Sequence, residues 1–313
     1  MKAFVTGVAG FIGSTLAERL VRDGADVIGI DSFTDYYPRA IKERNLSALS
    51  GMPRFRLIEG RIQDVDIRDV MGDRTHVFHL AAQAGVRKSW GRDFAIYTAN
   101  NIEATQLLLE ACVGQPLERL VYSSSSSVYG DNVAIPMRED AVPQPVSPYG
   151  VTKLAAEQLC YLYHVNYGVP TVSLRYFTVY GPRQRPDMGF HKFLTAAERG
   201  QPIMVFGDGE QTRDFTFVDD AVSANVLAAT RGVPGRVYNI GGGSRVSVNQ
   251  VLEMIGRVSG RQPISTVDSA QKGDMRHTYA DITLARADLG FAPTVGLEAG
   301  LAAEYKWLVD ILK

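Results

Sequence analysis

The feature that most narrows the possible folds is the stretch VTGVAGFIGSTLAERL. In it Gly7, Gly10 and Gly13 follow the apolar run Ala3–Thr6 and open a segment of helical period. A strand, a glycine-rich turn and a helix in that order form the opening of a dinucleotide-binding sheet. Gly7 permits the tight turn, Gly10 lets the backbone approach a pyrophosphate, and Gly13 lets the helix pack on the strand. Free N–H groups and the dipole at the helix N-terminus favour that anion, with Phe11 and Ile12 beside it. Asp31 ends the second apolar run. A carboxylate there accepts bonds from ribose hydroxyls and repels a 2′-phosphate, which selects NAD over NADP.

Further apolar runs fall at Asp26–Ile30, Phe55–Ile58, His76–Leu80, Leu120–Ser123 and Thr171–Leu174. Helical stretches lie between them, near Phe11–Arg22, Phe94–Cys112 and Tyr149–Tyr167. Such alternation requires right-handed crossovers and a parallel sheet covered on both faces. The expected class is a doubly wound α/β fold, Rossmann-like, over residues 1–175. After Arg175 the pattern loosens, and Gly181-Pro182, Gly207-Asp208-Gly209 and Gly241-Gly242-Gly243 punctuate shorter elements. Residues 176–313 are expected to form mainly a smaller substrate lobe, with the chain crossing between the two.

With 33 basic and 34 acidic side chains and no basic tract, the chain is a poor partner for nucleic acid or an anionic membrane. No apolar run approaches the ~20 residues that span a bilayer. The first strand, beginning at Lys2, predicts no signal peptide. Cys112 and Cys160, the only cysteines, lack metal-ligand spacing and read as buried thiols. The expectation is a cytoplasmic protein without a metal.

The segment SPYGVTKLAAEQ holds Tyr149 and Lys153. Four residues on a helix put both side chains on one face, and Pro148 marks the helix start. An ammonium beside a phenol favours phenolate and should lower the phenol's pKa. Such a phenolate is a general base for an alcohol that gives a hydride to nicotinamide. A serine hydroxyl nearby would position the alcohol, and YSSSSSVYG supplies five in a row, residues 123 to 127.

Together Gly-x-x-Gly-x-x-Gly, His79-Leu80-Ala81-Ala82, Ser125…Tyr149…Lys153 and Arg213-Asp214-Phe215 resemble the extended short-chain dehydrogenase/reductase family. Over essentially its whole length, the chain resembles that family's nucleotide-sugar epimerases and dehydratases. The resemblance makes Ser125, Tyr149 and Lys153 the catalytic trio. It places Leu80, Ala81, Ala82, Asn101 and Tyr176 near NAD. It sets Arg213 on the diphosphate of a UDP-sugar and Val205-Phe206 around the uracil. It also implies a homodimer formed through a four-helix interface that includes the Tyr149 helix.

The same resemblance bears on the reaction. Relatives that dehydrate or decarboxylate carry an acid directly after the catalytic hydroxyl, where this chain has Ser126 and Ser127. A serine cannot act as a general base near neutrality, so hydride return to the other face, 4-epimerisation, is expected. Thr178 and the run Arg185-Pro186-Asp187-Met188 resemble UDP-glucuronate 4-epimerases. Ser126, Ser127, Thr178 and Arg185 would then suit a sugar carboxylate. Their hydroxyls would hold it out of the alignment that expels CO2 from a β-keto acid. An epimerase of neutral UDP-hexoses is the chief rival, followed by a decarboxylase or dehydratase with a relocated base.

Arg185 reads either as a solvated loop charge or as a carboxylate or diphosphate contact. Arg87 reads either as a substrate contact or as a loop cation. His79 and Tyr129 read as packing residues. Two departures from the family stand out. Gly60-Arg61 replaces a Gly-Asp pair that bonds adenine, leaving the Ile62 backbone to serve. Gln271 replaces an arginine of the diphosphate clamp, for which Lys272 or Arg276 could compensate.

Overall fold

The computed structural model describes residues 1–269 and 271–313. Seven parallel strands form its central sheet: β1 (Lys2–Thr6), β2 (Asp26–Asp31), β3 (Phe55–Glu59), β4 (His76–His79), β5 (Arg119–Ser125), β6 (Thr171–Tyr176) and Val237–Ile240. Between β6 and that last strand come β7 (Thr178–Tyr180), β8 (Ile203–Phe206) and β9 (Thr212–Phe217), so Val237–Ile240 is β10. The order is β10-β6-β5-β4-β1-β2-β3. Strand order reverses on either side of β1, and ligand crevices of such sheets open at that point, beyond the carboxyl ends.

Successive strand residues point to opposite faces, and the core divides accordingly. Ala3 and Val5 pack with Leu16, Leu20, Ala221 and Ala228 on one face. Phe4 packs with Leu108, Leu109, Cys112 and Cys160 on the other. Both cysteines are buried free thiols.

The stretch expected as one helix over 94–112 is interrupted, with Phe94–Tyr97 and Ala104–Cys112 flanking a π-helical segment, Thr98–Glu103. Helix Pro148–Tyr167 starts where proline is tolerated, and the Ser147 hydroxyl caps it by accepting from the Gly150 N–H at 3.1 Å.

Beyond β6 the chain leaves the sheet, and β10 returns to pair with β6. The described residues beyond β6 also form two further sheets. In one, β9 pairs with β7 and with β11 (Arg245–Ser247); in the other, β8 pairs with β12 (Ser265–Asp268).

Candidate active site

One cleft runs along the carboxyl edge of the sheet. It is lined by Gly7, Gly10, Phe11, Ile12 and Gly13, by Asp31, by Ile62, by Leu80, Ala81 and Ala82, and by Tyr149, Lys153, Tyr176 and Arg185. At its centre Gly7 has φ 69°, and a Cβ there would come within 2.8 Å of the Ala81 amide nitrogen. A side chain on Gly13 would collide with the Gly7 carbonyl. Glycine is thus required both by backbone angle and by space.

Gly10 caps helix Phe11–Arg22 without any side-chain acceptor, so the first-turn N–H groups face the cleft free of a protein side chain. The Asp31 carboxylate accepts from the Ala9 N–H at 3.0 Å and the Phe33 N–H at 2.9 Å. These bonds aim it into the cleft and leave lone pairs for hydroxyls. A dinucleotide pyrophosphate and ribose fit these groups.

Tyr36, Tyr37, Lys42 and Gln83 line the same cleft, and sequence reasoning missed them. The segment after β2 has no periodicity, and its one signal was an aromatic pair close behind Asp31. Gly60, Arg61 and Ile62 line the wall at the end of β3.

Asn101 lies one layer back. Its carboxamide accepts from the Gln83 N–H at 2.7 Å and donates to the Gln83 carbonyl and the Thr152 hydroxyl. It therefore ties the loop after β4 to the helix carrying Tyr149, while Asn100 faces the cleft.

The serines end β5 and turn into a short 3₁₀ helix, Ser126–Val128. Ser123 shares a 3.2 Å bond with the Tyr176 hydroxyl. Ser124 donates to Glu157 at 2.6 Å, and Glu157 is also held by Arg175 in a buried ion pair. The Ser125 hydroxyl accepts from the Ser127 N–H at 3.2 Å. A side chain on Gly150 would strike the Ser127 carbonyl, so that glycine lets the Tyr149 helix settle against the serine turn.

Tyr149 meets the Tyr97 ring edge-on, with centroids 6.3 Å apart. Its electrostatics differ from the sequence expectation. Burial pushes the phenol up, and the Ser125 hydroxyl and Arg185 guanidinium only partly oppose this. Burial also lowers Lys153, to about 7. Desolvation acts against both charged forms at once.

Arg185 is not a solvated charge. Its side chain is 20% exposed and forks onto Asp187 at 2.9 and 3.0 Å. Burial works against its cation, and Asp187 more than restores it. Arg87 is no free loop cation either. It pairs with Asp274 at 2.7 Å, and its guanidinium stands 4.1 Å from the Phe206 ring centroid.

Phe206 is thus half-covered at the end of β8, while Val205 is buried. Thr178 opens β7, half-buried, opposite Phe215. Burial lowers the Arg213 pKa, against the attraction of Asp274 and Asp131, with Arg87 and Arg276 adding positive charge nearby. Arg276 forks onto Asp208 at 2.8 and 2.7 Å. Three arginines therefore converge where an anion would be held, and Arg276 stands among them.

His79 is packed, between the Thr6 and Thr105 hydroxyls at 2.7 and 2.9 Å, and burial drops it to about 3. Tyr129 is buried, donating to Asn239 at 2.7 Å. Among the described residues, no cluster of three or more His, Cys, Asp or Glu side chains could hold a metal, and no helix is long and apolar enough to cross a membrane.

Residues 3–241 match the profile of the NAD dependent epimerase/dehydratase family. A Bacillus subtilis (strain 168) protein described as an uncharacterized UDP-glucose epimerase, YtcB, is 43% identical over 99% of both chains. A UDP-glucuronate 4-epimerase of Thermodesulfobacterium geofontis (strain OPF15) is 37% identical, over 97% of this chain and 94% of its own. The crystal structure of UDP-glucuronic acid 4-epimerase from Bacillus cereus, in complex with UDP-glucuronic acid and NAD, superposes with a TM-score of 0.97. It is 44% identical, over 99% of this chain and 100% of its own.

Proposed function

The chain belongs to the NAD-dependent epimerase/dehydratase family, and from that premise we propose that it is an isomerase converting UDP-glucuronate to UDP-galacturonate by inversion at C4. One observation carries the choice of reaction: the turn that follows Ser125 offers Ser126 and Ser127, hydroxyls rather than carboxylates, beside Tyr149. The likeness to the Bacillus cereus enzyme supports the choice of substrate.

Residues 1–175 would hold NAD and the catalytic side chains, and residues 176–313 mainly the UDP-sugar. NAD, when bound against Gly7, Gly10, Gly13 and Asp31, supplies hydride chemistry at a sugar carbinol. Ser125 orients the O4 hydroxyl, and Tyr149 takes its proton as C4 is oxidised. Tyr149 gives the proton back when C4 is reduced from the other face, so no net proton is consumed. Lys153, one helical turn on, supports the phenolate while it carries charge.

The 4-keto sugar is a β-keto acid. Ser126, Ser127, Thr178 and Arg185 would hold its carboxylate away from the alignment that releases CO2. Arg213, with Arg87 and Arg276, would grip the diphosphate, and Val205-Phe206 would take the uracil.

A second reading, an epimerase of neutral UDP-hexoses, is favoured by the likeness to the Bacillus subtilis protein. The proteins are separated by incubation with UDP-glucuronate, UDP-glucose and UDP-N-acetylglucosamine in D2O, with products read by NMR. UDP-galacturonate without deuterium at C5 is expected. Turnover of the neutral sugars alone would select the second reading, and C5 exchange or a pentose product would point to a dehydratase or decarboxylase.

The protein would act in the cytoplasm as a homodimer. Helix Pro148–Tyr167 leaves Val151, Tyr161, Leu162, Val165 and Tyr167 exposed, an apolar face of the kind that interfaces cover. Light scattering at the mass of one chain would exclude the dimer.

A further inference from the structure

Arg185 sits in a turn, residues 181–187, whose shape is imposed rather than preferred. Gly181 has φ 131° and Arg183 φ 71°. The second lies in the left-handed region that non-glycine side chains resist. The Arg185–Asp187 fork lies within the turn, so it fixes the local shape and not the turn's place relative to Tyr149. That place depends on ties leading out of the turn.

Toward the smaller lobe, Glu304 accepts from the Gly181 N–H at 2.8 Å, and the His191 N–H donates to Gln184 at 2.9 Å. Toward residues 1–175, among the described residues, there are two hydrogen-bonding or ionic ties, besides the Arg185 guanidinium standing 5.9 Å from the Tyr36 ring centroid. One is a 3.3 Å bond from the Tyr36 hydroxyl to Asp187. The other is the ion pair between Arg183 and Glu18. The second is the firmer, because Glu18 is buried and Arg22 on the same helix pairs with it as well.

We propose that Glu18 is a positioning residue for Arg185. By gripping Arg183 in its left-handed conformation, it sets how the turn presents Arg185 to the sugar carboxylate. The proposal rests on UDP-glucuronate as substrate. Glu18 belongs to helix Phe11–Arg22, whose N-terminus faces the cofactor cleft. The grip therefore references the carboxylate contact to the element that holds the dinucleotide.

The test compares Arg183→Gly, Arg183→Lys and Glu18→Gln with the unaltered protein. The readouts are KM and kcat for UDP-glucuronate, the pentose share of the product, and UDP affinity by calorimetry. Arg183→Gly suits the backbone angle and leaves Glu18 paired with Arg22, so it decides the matter even where Glu18→Gln fails to fold.

Arg183→Gly and Glu18→Gln should raise KM about tenfold or more and enlarge the pentose share. Changes in kcat should stay within about threefold, with UDP affinity unchanged. Arg183→Lys, which keeps a cation for Glu18, should recover most of the loss. A folded Arg183→Gly protein with unaltered KM and product ratio would overturn the proposal. So would a rise in KM matched by an equal loss of UDP affinity. Failure of the unaltered protein to epimerise UDP-glucuronate would instead overturn the substrate reading, before any variant is made.

Discussion

The Lys153 ammonium stands 4.4 Å from the centroid of the Tyr122 ring. That ring is buried beneath helix Pro148–Tyr167, and its π face offers the ammonium attraction in place of water. Burial nonetheless lowers Lys153 to about 7, so its charge changes near neutrality. Replacing Tyr122 by Leu removes the π face and should lower the Lys153 pKa further, by about one unit. NMR titration of ¹³Cε-labelled lysine in the cofactor-free protein would read this. An unshifted Lys153 in Tyr122→Leu would show that the ring contributes nothing to the charge.

Tyr149→Phe keeps the ring that meets Tyr97 edge-on and deletes only the hydroxyl. Turnover should fall about 10³-fold, within the usual range for losing a general acid–base group, while NAD still binds. Stopped assays with bound cofactor measured by absorbance would check both halves. Activity close to that of the unaltered protein would remove Tyr149 from the chemistry.

Arg213 and Arg276 should differ in weight. Arg213 is shielded enough for burial to lower its pKa, and a charged bond made there is worth about 1.5–3 kcal/mol. Arg213→Ala should weaken UDP binding by about 10- to 100-fold on that basis. The exposed Arg276 already forks onto Asp208, and surface pairs are worth about 0–1 kcal/mol. Arg276→Ala should therefore cost about fivefold at most. Calorimetry with UDP ranks them, and the reverse order would make Arg276 the principal clamp.

Glu304 gives the protein a stability slope. Burial lifts its carboxyl from 4.5 to about 8, against a single backbone bond from Gly181. Between those values the folded chain keeps a proton that the unfolded chain has released. Stability must then fall as pH rises through this window, by at most about 5 kcal/mol. Glu304→Gln cannot release that proton and should lose this part of the slope. Thermal unfolding at pH 5.5 and pH 8 measures it, and equal slopes for both proteins would assign the dependence elsewhere.

The glycine turn, Asp31 at the end of β2, and Tyr149 with Lys153 one turn apart were all legible in the sequence. Each depends on neighbours within a few residues and on the fixed periods of strand and helix. The parallel architecture followed from the alternation of those periods. What lay beyond reach were pairings between distant residues: Arg87 with Asp274 and Phe206, Arg183 with Glu18, Asn101 with Gln83 and Thr152, and the return of β10 to β6.

The Tyr149 phenol was misjudged for the same reason. Spacing revealed the nearby ammonium but not the burial that acts against both charges. Local order determined which chemical groups this chain brings to its cleft. Only the tertiary structure decided how those groups are aimed and charged, because desolvation and long-range ion pairing exist only once remote segments have packed together.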